Sequence, residues 1–144
     1  MSILNEHPLI LRYIEMNRFG TYLGMEFNIV DAGKVVYQLQ IREEHLATPV
    51  SAHGGVISAL LDATLGVGAL SAVCEEGKVV STVEMKVSFI RPVMLGDALT
   101  ANFDVLKKGK KIIFAEAVIH NQKGELIAKA SGTMNSYPKE KAGY

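Results

Sequence analysis

His53-Gly54-Gly55-Val56-Ile57-Ser58-Ala59-Leu60-Leu61-Asp62-Ala63-Thr64-Leu65-Gly66-Val67-Gly68-Ala69-Leu70-Ser71-Ala72-Val73 is a run of small and apolar residues interrupted by a single charge, Asp62. A helix that is apolar on nearly every side is normally buried in a protein core. An ionised carboxylate in such a helix costs several kcal/mol, on the order of the penalty for a buried charge, unless partners offset it. Folding alone supplies no reason for Asp62, so it is the first candidate for function. The run is also long enough for a membrane span. Asp62, the glycines and the lack of a flanking basic cluster argue for a core helix instead.

Outward from the run the period changes. His7-Pro8 opens a short N-terminal helix with Leu9, Ile10, Tyr13, Ile14 and Met16 on its apolar side, and Gly20 is expected to stop it. Val35, Tyr37, Leu39 and Ile41 alternate with Val36, Gln38, Gln40 and Arg42, the pattern of a half-buried strand. Asp31-Ala32-Gly33-Lys34 suits a hairpin turn from an earlier strand over 24–30. The long helix is expected to end at Glu75-Glu76-Gly77. Beyond it Val83, Met85, Val87 and Phe89 are expected to share one strand face, ending at Arg91-Pro92. Leu99, Ala101, Phe103 and Val105 form the next set, then Ile113, Ala115, Ala117 and Ile119. Asn121-Gln122-Lys123-Gly124 makes a turn into a last strand with Leu126, Ala128 and Ala130, and the tail after Pro138 reads as loose. About six antiparallel strands with one face to cover, and one helix apolar all round, bury each other. The expectation is a single α+β domain, with the sheet wrapped around a central helix.

Composition narrows the function. The chain has 144 residues, 49% hydrophobic, and its 15 basic and 15 acidic side chains cancel. That balance argues against a nucleic-acid binder. Cys74 is the only cysteine, so no internal disulfide forms, and a reduced thiol in the cytoplasm is expected. The first 20 residues lack the apolar segment of a secretory leader. His7, His45, His53 and His120 are scattered, without the spacing of a metal site.

The start of the run carries chemistry. Helix-start amides have no intrahelical acceptor, and the helix dipole adds positive potential there. Glycine lets a substrate oxygen approach the backbone, so the Gly54 amide could hold the oxyanion of an attacked carbonyl. Two glycines also serve simple close packing of helix on sheet. Asp62 lies nine residues after His53, about 13 Å further along a helix axis and on the opposite side. The two do not reach one substrate atom from one chain. If they share a reaction, the sites are composite and the protein is a homodimer.

His53-Gly54-Gly55 with Leu61-Asp62, the 82–92 strand ending Phe89-Ile90-Arg91-Pro92, and Gly109-Lys110 resemble the PaaI-type acyl-CoA thioesterases of the hotdog fold, over about residues 23–136. The resemblance implies thioester hydrolysis with Asp62 as general base or nucleophile and Gly54 as oxyanion donor. It places His53 in support of the glycine loop and Thr82 near the carboxylate and attacking water. It implies an acyl-CoA substrate, aryl or medium-chain, no cofactor, no metal, and a homotetramer built from two dimers. Arg91, Lys107, Lys108 and Lys110, with Gly55 and Gly109, are the candidate coenzyme A contacts, although a lysine-rich turn is also an ordinary soluble hairpin. Many members carry asparagine or glutamine six residues before the motif histidine; here that position is Ala47, with Thr48 and Ser51 as the nearby hydroxyls. The departure keeps a non-catalytic acyl-CoA binder as the alternative.

Overall fold

The computed structural model describes residues 2–144. Helices α1 (Pro8–Met16) and α2 (Arg18–Leu23) precede strands β1 (Glu26–Asp31) and β2 (Lys34–Gln40). The long helix α3 (Gly54–Val73) follows, then β3 (Lys78–Phe89), β4 (Ala98–Lys108), β5 (Ile112–His120) and β6 (Leu126–Pro138). The six strands form one sheet in the order β1-β2-β4-β5-β6-β3, every pair antiparallel. The chain leaves β2, runs through α3, lays down β3 at the far edge, and returns to place β4 beside β2. Consequently β3, 12 residues long, pairs only with β6 and offers its other edge unpaired.

The sheet curls around α3 because its inward positions are apolar. Val35, Tyr37 and Leu39, then Leu99, Ala101 and Phe103, then Ile113, Ala115, Ala117 and Ile119 are all buried against the helix. The helix answers with Leu60, Leu61, Leu65 and Val67, all fully buried. Each such large side chain contributes about 1.5–3 kcal/mol of transfer free energy. Gly68 marks the closest approach, since a Cβ there would lie 2.2 Å from the Phe103 ring. Gly54–Glu76 is apolar and long enough for a membrane span, yet 67% of its most apolar window is buried inside this fold.

Several expectations are modified. The N-terminal segment is two short helices, not one stopped at Gly20. Asn17 leaves helical geometry (φ −80°, ψ 68°), and its side chain accepts the Gly20 amide at 3.1 Å, starting a second helix. Gly24, at φ 83°, ends it. A bulge between Thr82 and Glu84 breaks the even alternation expected of β3. Val83 is therefore 63% exposed and does not share the inward face of Met85 and Val87. A second irregularity beside Ile119 shifts the start of β6, so Ile127 is buried along with Ala128. The tail is not loose throughout: 139–142 forms a 3-10 turn whose Lys139 amide donates to the Gly77 carbonyl at 3.1 Å.

Candidate active site

The first turn of α3 presents one bare amide. His53 is the N-cap residue, and its ring Nδ1 accepts the Gly55 N–H at 2.7 Å. That occupies the Gly55 donor and leaves the Gly54 N–H without an acceptor among the described residues. His53, Gly54 and Gly55 are all exposed. Beside the Gly54 amide lies an open cavity of about 310 Å³, lined by Gly54, Ile57, Phe89, Arg91, Pro92 and Val93. Its wall is mainly apolar, and its size is at the small end of small-molecule sites. An unpaired helix-start donor next to an apolar pocket suits a carbonyl oxygen carried on a hydrophobic group.

Asp62 sits two and a half turns further along. It is exposed, and its Oδ1 accepts the Thr82 hydroxyl at 2.7 Å. Its second oxygen has no hydrogen-bond partner among the described residues. Burial of Asp62 was the expectation, and the protomer differs because one stripe of α3 is uncovered. Gly55, Ala59, Asp62, Ala63 and Gly66 are all partly or fully exposed, spaced as one helix face. The β3 bulge supplies the partner: it turns Thr82 to the sheet face that carries Met134, which is the helix side.

The candidate coenzyme A residues are dispersed. Lys107 is exposed, and Lys108 pairs with Glu76 at 3.4 Å. Gly109 closes the β4–β5 hairpin so tightly that a Cβ there would meet the Ile112 carbonyl at 2.9 Å. Lys110 joins Lys78, Lys111, Ser136, Tyr137 and Lys141 around a cleft of about 400 Å³. Lys78 donates to the Lys110 carbonyl at 3.2 Å, drawing the two lysines together. Lys78 and Lys141 are remote in sequence from the hairpin, and only the β3–β6 pairing brings Lys78 there. Arg91 stands apart from these lysines at the Gly54 cavity. Its Nη1 donates to the Leu126 carbonyl at 2.8 Å, and its Nε lies 3.7 Å from Glu125.

Ala47 is exposed on the loop before α3. The neighbouring hydroxyls are already engaged: Thr48 Oγ1 lies 2.6 Å from Ser51 Oγ and accepts the Ser51 amide at 2.9 Å. Cys74 is 1% exposed, and burial, with Glu75 beside it, pushes its thiol above the ordinary range. Among the described residues no three or more His, Cys, Asp or Glu side chains gather as a metal site would require.

An antiparallel sheet wrapped on one long central helix is the hotdog fold of the thioesterases. The chain belongs to the thioesterase superfamily, whose profile matches residues 51–128. It is 30% identical over 103 residues to human acyl-coenzyme A thioesterase 13, covering 70% of this chain and 71% of that one. Among solved structures it resembles the E. coli PaaI protein of the phenylacetic acid degradation operon, with TM-score 0.80, 23% identity and 93% of each chain covered. A Streptococcus mutans protein bound to acetyl CoA matches with TM-score 0.73 and 23% identity, over 79% of this chain and 89% of that one.

Proposed function

We propose that this protein hydrolyses acyl-CoA thioesters at a site shared between two copies of the chain. The observation that carries the reading is the exposed Asp62, held by Thr82 through one oxygen and free at the other. The free oxygen takes a proton from water as the water attacks the thioester carbonyl carbon. Charge gathers on the carbonyl oxygen and rests on the Gly54 N–H of the second copy. Collapse of the adduct breaks the carbon–sulfur bond, and the proton held by Asp62 goes to the departing thiolate. The products are the free acid and coenzyme A.

Two features support a second copy. Asp62 and Gly54 of one chain are separated by a continuous helix, so a single protomer does not put both on one carbonyl. The same protomer leaves the α3 stripe uncovered and the β3 edge unpaired, and an exposed edge strand is a template for another chain. Isologous pairing through this face gives two equivalent sites, and pairs of dimers would give the tetramer. The Lys78, Lys110, Lys111 and Lys141 cleft is assigned to the phosphates of coenzyme A, with the cytoplasm as the setting. The human relative named as an acyl-CoA thioesterase and the neighbour bound to acetyl CoA support this substrate class. The cavity at Gly54 favours small acyl groups, medium aliphatic or unsubstituted aryl, over long chains.

Complementation between inactive variants tests the proposal. Asp62→Ala and Gly54→Val are each expected to release no thiol from a panel of acyl-CoAs. Co-refolded in equal amounts, half the dimers carry both chains, and in each one of two sites is intact. About a quarter of wild-type turnover should return. A mixture as dead as its components rules out the shared site. An Asp62→Ala protein as fast as wild type removes the hydrolase assignment. Tight acyl-CoA binding by the wild-type protein without thiol release would leave the non-catalytic binder, the reading that Ala47 favours.

A further inference from the structure

We propose that His45 is a positioning residue, which fixes the Gly54 amide by tying the loop before α3 to the end of α2. The inference rests on the reading of Gly54 as the oxyanion donor. His45 is 1% exposed, and both ring nitrogens are bound to backbone. Its Nδ1 accepts the Arg42 N–H at 3.0 Å, and its Nε2 donates to the Leu23 carbonyl at 2.8 Å. A carbonyl only accepts and an amide only donates, so the ring carries its hydrogen on Nε2 and is neutral. The Leu23 carbonyl is one of the orphaned acceptors at the C-terminal end of α2, and His45 satisfies it from the interior.

The tether continues into the site. The His45 carbonyl accepts the His53 N–H at 2.8 Å, and the His53 ring in turn accepts the Gly55 N–H at 2.7 Å. Between these anchors the loop closes on itself through the Leu46–Ala52 bridge, and the Ala52 N–H donates to the Val93 carbonyl at 2.8 Å, tying the loop to the segment after β3. The buried imidazole, with the Arg42 guanidinium donating more weakly to the same Leu23 carbonyl at 3.4 Å, thus links α2 to the residue whose conformation aims the Gly54 amide. The N-terminal helices are thereby part of the catalytic scaffold, although none of their residues borders the Gly54 cavity. A donor displaced by about 1 Å from its working position can lose 10²-fold in rate.

Three variants separate the links. His45→Leu removes both, His45→Gln keeps a donor near the Nε2 position, and His45→Asn keeps an acceptor near Nδ1. Each is assayed on a CoA thioester, and each is examined through the backbone amide resonances of Gly54 and Gly55. For His45→Leu, kcat should fall about 10²-fold with KM changed less than about threefold. The Gly54 and Gly55 resonances should move while that of Gly124, in the β5–β6 turn, stays. His45→Gln should recover at least about tenfold in kcat over leucine, and His45→Asn should not. If the leucine variant does not fold, the Gln–Asn comparison decides. Unmoved Gly54 and Gly55 resonances, or recovery by asparagine and not glutamine, overturn the proposal. A wild-type protein that releases no thiol defeats the hydrolase reading instead, and the resonances still decide the tether.

Discussion

Thr82 donates to Asp62 across 2.7 Å because β3 is bulged between Thr82 and Glu84, with Val83 as the extra residue. In an even strand Thr82 would share a face with Glu84 and Lys86 and point away from the helix. The hydroxyl pins one carboxylate oxygen and leaves the other to water. A hydrogen bond to a charged group is worth about 1.5–3 kcal/mol, roughly ten- to a hundredfold if it acts in the transition state. Thr82→Val should therefore lower kcat by about tenfold to a hundredfold, with KM little changed. Thr82→Ser keeps the hydroxyl and should stay within about threefold of wild type. Steady-state kinetics on one acyl-CoA suffices, and equal rates for valine and threonine would show that the contact is catalytically idle.

That bulge also marks where the sequence stops being legible. Period-two alternation located the strands, and the all-round apolar run located α3, because burial on one face or all faces leaves a direct trace in residue order. A bulge adds a residue without changing composition, so Val83, Met85, Val87 and Phe89 read as one face when Val83 is not on it. The open stripe of α3 was hidden for a related reason: glycine and alanine look alike whether they face a sheet or another copy of the chain. Asp62 and the helix-start glycines were readable because both break the rules of a core helix. Lys78 and Lys141 were not, since only strand pairing brings them to the hairpin lysines. His45 carried little local signal: Arg42 is its neighbour in the same turn, but the contacts with Leu23 and His53 are set by tertiary structure.

Ala47 leaves the loop without a side-chain carboxamide, and the two nearby hydroxyls do not stand in for it. Thr48 and Ser51 bond to each other and to the turn backbone. Loss of a single oxyanion donor costs about 10²–10³ in kcat elsewhere. Ala47→Asn should accordingly raise kcat, by up to about 10², because residue 47 is exposed and its side chain has room. A rate unchanged or lowered by asparagine would mean that Gly54 and water already complete the oxyanion site.

Cys74 should be chemically silent while the protein is folded. It is 1% exposed, its Sγ reaches only the Ser71 carbonyl at 3.8 Å, and burial raises its pKa. A raised pKa means less thiolate at any given pH, and the thiolate is the reactive form. At pH 8 the native protein should react with a disulfide reagent far more slowly than the same chain in denaturant, and turnover should survive the treatment. Rapid native labelling with loss of activity would instead place Cys74 at an accessible and functional surface.

The lysine cleft makes a claim about which part of the substrate is recognised. Lys78, Lys110, Lys111 and Lys141 surround it, whereas the acid and the bare amide lie elsewhere on the fold. On the proposed reading, charges there act on the nucleotide phosphates and not on the reacting carbonyl, and so belong to KM. Joint replacement of Lys78 and Lys111 by alanine should raise KM for an acyl-CoA about tenfold at low ionic strength and leave kcat near wild type. Added salt should raise the wild-type KM in the same way and affect the double variant less, because screening removes what the mutations removed. A thioester of the same acyl group on N-acetylcysteamine, which carries no phosphate, should show neither effect. If its KM rises with the double replacement as steeply as that of the acyl-CoA, the cleft is holding the fold together and not the nucleotide.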